Sequence, residues 1–210
     1  MKISVLIPAY NEEETIGEIV SFLNDLEYID EILVVNDGSD DSTSLIAQNS
    51  GAIVLNNNKN KGKGAAVQAG FDFLSTDIIL LLDGDLVGLK EKHIKNILAP
   101  LLYENVDMSV GILMRGNFFI DFAQKFTPNL SGQRAIRKTV INDLIKLNDV
   151  GYGVEIIINR HVKKKGKIEY VKLNDIHHII KEEKRGILKG IFARIKMYWD
   201  LFKVIFMIDD

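Results

Sequence analysis

Leu80, Leu81 and Leu82 run straight into Asp83, Gly84 and Asp85. Two carboxylates one residue apart repel each other, and an apolar run does not end that way for stability. They need water or a cation for company. Hard divalent ions such as Mg2+ and Mn2+ take oxygen ligands, and Mg2+ commonly uses one or two carboxylates together with substrate phosphates. The pair is a partial metal site that a diphosphate would complete.

Three other stretches carry polar residues that a turn alone does not explain. Asn36 and Asp37 follow the apolar run at 32–35, where a carboxylate can accept a hydrogen bond from a base or a sugar. Tyr10 and Asn11 sit between Pro8 and the helix-starting acids Glu12, Glu13 and Glu14. The loop NKNKGKG at 58–64 brings Lys61 and Lys63 together with glycines that let backbone approach an anion. It is neither a Gly-Lys-Ser/Thr phosphate loop nor G-x-G-x-x-G, because Val67 takes the third glycine position. Farther on, Glu155 lies between Val154 and Ile156. Near apolar walls it would have a raised pKa, and would serve as a general base for an acceptor hydroxyl or only orient the acceptor. Arg115, Arg134 and Arg137 suit a phosphate, and His177 and His178 offer imidazoles.

The elements that must position these residues follow from periodicity. The runs KISVLIP, EILVVNDGS, AIVLNN and DIILLLDGD read as buried strands. Between them EEETIGEIVSFLNDL, DDSTSLIAQNS and AAVQAGFDFL read as helices, the first with Ile16, Ile19, Val20 and Leu23 at helical spacing. This alternation predicts an α/β fold with a mostly parallel sheet and helices on both faces. Ligands of such sheets bind beyond the carboxyl ends of the strands, which is where the three polar loops PAYNEE, NDGSDD and DGD converge. In the second half VDMSVGILM and KIEYVKL read as strands, and RGNFFIDFAQKFTPN as a loop or short helix. SGQRAIRKTVINDLI and GVEIIINRHVKKKG read as helices, and 187–210 as a long amphipathic and basic helix.

Composition narrows the class. The 210 residues are 47% hydrophobic and 26% charged, which is ordinary for a soluble domain. With no cysteine, disulfides and thiolate metal sites are excluded, and a cytoplasmic location, or one on the cytoplasmic face of a membrane, is expected. The first residues do not form a signal peptide, and no stretch is long and apolar enough to span a bilayer. Residues 160–203 hold thirteen Lys/Arg against five Asp/Glu, while the rest holds thirteen against twenty-four. That basic end suits an anionic partner such as a phosphate or a membrane surface, and the final helix suits either a homodimer contact or a membrane interface. Nucleic acid is not expected, since no basic stripe is interleaved with aromatics.

The four stretches VLIPAYNEEETIGEIV, ILVVNDGSDDST, NKGKGAAVQAG and LLLDGD, in that order, resemble family 2 glycosyltransferases of the GT-A fold. The resemblance implies one domain over 1–210, with a nucleotide-sugar half at 1–115, an acceptor half at 116–186 and the terminal helix at 187–210. It implies that Pro8, Tyr10, Glu12 and Asp37 hold the nucleoside and that Lys63 lies near the nucleotide. Asp83 and Asp85, with Gly84 between them, would bind a divalent cation (Mg2+ or Mn2+) and the donor diphosphate. The second half resembles glucosyl-3-phosphoglycerate synthases and polyprenyl-phosphate sugar transferases. There Gly132 and Arg134, with Arg115, would meet the acceptor, Glu155 would lie in the active site, and His177 would be an extra metal ligand. Where those groups carry Ser-His-Arg, this chain has Ile176, His177 and His178. The implied reaction is sugar transfer from a UDP- or GDP-sugar to a small phosphorylated molecule or a polyprenyl phosphate. Two other readings stand beside it: a scaffold that binds nucleotide sugar without turnover, and a nucleotidyltransferase.

Overall fold

The computed structural model describes residues 1–114, 131–144, 147, 150 and 153–178. Arg115, the 116–130 stretch and the terminal helix expected at 187–210 lie outside the described residues. In chain order the elements are β1 (Ile3–Ala9), α1 (Ile16–Asn24), β2 (Glu31–Asn36), α2 (Thr43–Asn49), β3 (Ile53–Asn56), α3 (Lys63–Phe73), β4 (Ile78–Leu81), β5 (Leu86–Val87), α4 (Glu91–Tyr103), β6 (Met108–Met114), β7 (Arg134–Arg137), α5 (Lys138–Ile141), α6 (Val154–Lys165), β8 (Ile168–Asn174) and β9 (His177–His178).

Seven strands form one sheet in the order β3-β2-β1-β4-β7-β6-β8. Six run in one direction, and β7 runs against both neighbours. The expected α/β architecture is therefore present. Side chains alternate across the sheet with period two. Val5, Ile7, Ile78 and Leu80 enter a core with the α1 stripe Ile16, Ile19, Val20 and Leu23 and with Ile94 and Ile97 of α4. Leu6, Ile79 and Leu81 enter a second core with Ala66, Val67 and Phe71 of α3 and Val154 and Ile158 of α6. All four residues of β4 are fully buried. Each such side chain contributes about 1.5–3 kcal/mol, against roughly 1 kcal/mol of repulsion between two carboxylates in water. The core thus easily tolerates a charged pair at the strand's exit. Gly70 lets α3 settle onto β1, since a Cβ there would collide with Leu6.

Two elements differ from expectation. SGQRAIRKTVINDLI is not one helix: Arg134–Arg137 is a strand and only Lys138–Ile141 is helical. The gap between β4 and β6 decides this. Filling it gives the backbone of β7 partners on both sides, and that outweighs a local helical preference. The helix α4, with Pro100 inside it, had no counterpart in the sequence reading. A second, two-stranded sheet pairs β5 with β9 antiparallel, Val87 opposite His177.

Candidate active site

The parallel register fixes where the loops leave the sheet. Ala9 is level with Asn36, and β4 ends two residues before Asp83. The three polar loops therefore do meet at the carboxyl edge, and hydrogen bonds stitch them together. Asn11, in the left-handed region at φ 56°, donates its N–H to Ser39 Oγ (2.9 Å) and accepts from Asp40 N–H through Oδ1 (3.0 Å). Glu12 N–H donates to Thr43 Oγ1 at 2.8 Å. The buried Thr15 hydroxyl donates to the carbonyl of Gly84 at 2.6 Å. The side chain of Glu12 lies against Gly84, so the first loop braces the Asp-Gly-Asp turn. Pro8 and Tyr10 are half-buried on the same edge.

Asp37 is 3% exposed at the tip of β2. It accepts from Asn57 Nδ2 (2.8 Å) and from the backbone N–H groups of Lys61 (3.0 and 3.1 Å) and Gly62 (2.7 Å). Its carboxylate holds down the lysine-glycine loop. That loop turns through Gly62, at φ 94°, directly into α3.

Lys63 is the first residue of α3, and a cation there opposes the helix dipole by about 0.3–1 kcal/mol. Two carboxylates offset it. Its ammonium donates to Asp83 Oδ1 and to Glu155 Oε1, each at 2.6 Å. The Lys63 and Asp83 side chains are 24% and 17% exposed, and that of Glu155 only 6%. Burial alone would lower the pKa of Lys63; Asp83 and Glu155 overcome this and raise it well above the ordinary lysine range. Glu155 itself sits in the first turn of α6, where a carboxylate suits the dipole.

The other oxygen of Asp83, Oδ2, accepts from Gln133 Nε2 at 2.8 Å, and Gln133 Oε1 accepts from Ser131 Oγ at 2.9 Å. Gly132 packs directly on the Asp83 carboxylate, leaving no room for a Cβ. Gln133 is fully buried and no sequence motif singles it out.

Arg134 has a different task from the one expected. It is fully buried, and burial lowers its pKa against the pull of Glu155 and Asp83. Nη1 donates to Asn159 Oδ1 (2.9 Å) and to the Glu155 carbonyl (3.3 Å), and Nη2 donates to the Ser131 carbonyl. It is a strut joining the Ser131–Gly132 turn to α6, not a surface group facing a phosphate. Arg137 is also reassigned. It pairs with Ile78 at the opposite end of β4, and its guanidinium donates to the carbonyls of Val106 and Leu101.

Asp85 lies within the turn between β4 and β5, and β9 places exposed His177 opposite Val87, two residues beyond it. Among the described residues no three His, Asp or Glu side chains gather into a ready-made metal nest. The acids supply a partial oxygen set. Among the described residues, no helix is long and apolar enough to cross a membrane.

Comparison with known proteins places this architecture. The profile of Glycosyl transferase family 2 matches residues 4–155. The chain is 34% identical to glycosyltransferase AglJ of Haloferax volcanii, over 78% of this chain and 59% of that one. It is 27% identical to the undecaprenyl-phosphate 4-deoxy-4-formamido-L-arabinose transferase of Salmonella choleraesuis, over 95% of this chain and 66% of that one. It thus spans about three fifths to two thirds of these relatives' length. The crystal structure of glucosyl-3-phosphoglycerate synthase from Mycobacterium tuberculosis in complex with Mn2+, UDP-glucose and phosphoglyceric acid superposes with a TM-score of 0.76 at 25% identity, over 96% of this chain and 79% of that one. The GT-A fold expected from the motifs is the fold observed, and the chain belongs to glycosyl transferase family 2.

Proposed function

We propose that the chain transfers a sugar from a nucleotide-diphosphate sugar to a phosphate-bearing acceptor, with a divalent cation held by Asp83 and Asp85. One observation carries the reading: the strand-end carboxylate of Asp83 meets a cation, the Lys63 ammonium, which it shares with Glu155 of α6 at 2.6 Å each. The site already balances anionic oxygens with positive charge, and hard oxygen donors suit Mg2+ or Mn2+. A bound divalent ion would stabilise the charge that develops on the leaving diphosphate.

The chain's own residues supply the rest. Pro8, Tyr10 and Glu12 border the edge where a nucleoside would lie, and Asp37 serves it by fixing the Lys61–Gly62 backbone. Gly84 keeps the turn tight against Glu12. Gln133 and Gly132 fix the Asp83 carboxylate, and Arg134 holds the backbone carbonyl of Glu155. Glu155 orients the acceptor. A phosphate acceptor is already an anion and needs no general base. His177, beside the Asp85 turn, is the candidate extra ligand. The acceptor class draws support from both relatives: the synthase crystallised with phosphoglyceric acid, and the transferase named for undecaprenyl phosphate. The nucleotidyltransferase reading lacks the basic residue it needs in the loop after β1, where Glu12, Glu13 and Glu14 stand.

The test is Mn2+-dependent release of UDP from UDP-glucose, with phosphoglyceric acid and a polyprenyl phosphate as alternative acceptors. Asp85→Ala should abolish release and leave thermal unfolding near wild type. Full activity in that variant refutes the metal assignment.

A further inference from the structure

Asp83 is held by two different kinds of partner. Oδ2 accepts from the neutral amide of Gln133 at 2.8 Å, and Oδ1 accepts from the ammonium of Lys63 at 2.6 Å. A dication ligated by Asp83 would lie within a few ångströms of that ammonium, and like charges so close repel strongly in a site this enclosed. Gln133 carries no charge and has no reason to move. Lys63 does. Its flexible four-carbon stem starts at the first residue of α3, so the ammonium can swing while its Cα stays fixed. Glu155 offers the ammonium a second anchor, 6% exposed, that does not have to let go when Asp83 does.

We infer that Lys63 is a built-in counter-ion that occupies the metal-facing oxygen of Asp83 and is exchanged for the divalent cation when the donor arrives, while Gln133 keeps the carboxylate in place. The inference rests on the reading that Asp83 binds a cation. Two consequences follow. Metal without nucleotide binds weakly, because it must displace an ion pair. Nucleotide strengthens metal binding, because the released ammonium gains the diphosphate as a partner. Lys63 is thus a positioning residue that couples metal to donor, over and above any contact it makes with the nucleotide.

The experiment measures Mn2+ affinity by the electron paramagnetic resonance signal of the free ion, with no nucleotide present. Lys63→Met keeps the length and removes the charge. It should bind Mn2+ at least about ten-fold tighter than wild type, the scale on which groups beside a ligand tune metal affinity. Lys61→Met removes a neighbouring charge, whose ammonium reaches Asn57 Oδ1 at 3.5 Å, and should leave Mn2+ affinity unchanged. Equal tightening in both variants, or none in Lys63→Met, overturns the exchange. Adding Asp83→Asn to Lys63→Met separates this from the parent reading. If the double variant still binds Mn2+ as tightly, the metal is not at Asp83 and the proposed site itself fails. Should Lys63→Met fail to fold, the wild-type protein gives the answer. The rate at which an acylating reagent labels Lys63, followed by mass spectrometry, should rise severalfold with saturating Mn2+, and an unchanged rate overturns the inference.

Discussion

Gly132→Ala is the sharpest perturbation available, because it adds one methyl group against the Asp83 carboxylate. A Cβ built on Gly132 overlaps both Oδ1 and Oδ2 of Asp83, well inside the 3.0 Å that real Cβ atoms keep. The carboxylate must shift by on the order of 1 Å, and a misplacement of that size costs about 100-fold in rate. It cannot simply rotate away, since Gln133 holds one oxygen and the other is held by Lys63 or by the cation that replaces it. Overpacking of this kind also destabilises by about 1–3 kcal/mol, which for a chain of this size lowers Tm by roughly 2–12 °C. The assay is Mn2+-dependent UDP release from UDP-glucose, alongside a thermal unfolding scan. The expected result is a fall in kcat near two orders of magnitude in a protein that remains folded. Wild-type turnover in Gly132→Ala would show that the turn yields freely and that the position of Asp83 does not limit the reaction.

Arg134→Met should remove the guanidinium bonds to the Ser131 and Glu155 carbonyls and to Asn159 Oδ1. Hydrogen bonds to a charged group contribute about 1.5–3 kcal/mol, so urea unfolding should show a loss of at least ~1.5 kcal/mol, and a loss under ~0.5 kcal/mol would show the strut to be idle. His93 is 1% exposed, and burial lowers its pKa, outweighing the pull of the Asn174 backbone. The unfolded chain therefore takes up a proton below about pH 6.5 that the folded chain resists, so stability should fall as pH drops from there. His93→Gln should flatten that slope in urea titrations between about pH 7 and pH 5; an unchanged slope would assign it to other groups.

The first half of the molecule was legible because its signals are local. Apolar runs such as that ending at Leu82 are strands wherever they sit in an alternating chain, and the polar loops must then share one edge. The second half depends on distant contacts. Nothing near Arg134 or Ile136 announces a strand, because four residues are too few for a period to show. The strand exists only because β4 and β6 leave a place for it. The same distance hid the centre of the site. Lys63 meets Glu155 across 92 positions of sequence, and Gln133 meets Asp83 across 50. Arg134 looked like a phosphate ligand because charge alone cannot tell an exposed guanidinium from a buried strut. Two of its partners are backbone carbonyls, which a sequence does not display.

The place of β7 also sets an order of assembly. The four strands β3-β2-β1-β4 lie within the first 81 residues and pair among themselves. Beyond them the sheet stops at β4, whose edge consists of Ile78, Ile79, Leu80 and Leu81. The next strand of this sheet to be made, β6, cannot cover that edge, because its place is one position farther out. A chain emerging from the ribosome must therefore carry an open, wholly apolar strand edge until residues 134–137 appear, and such edges invite pairing with other chains. The residues that close the sheet are the same ones that carry Arg134 into the site. The apolar edge of β4 is thus covered, and the support of Glu155 put in place, in a single late step.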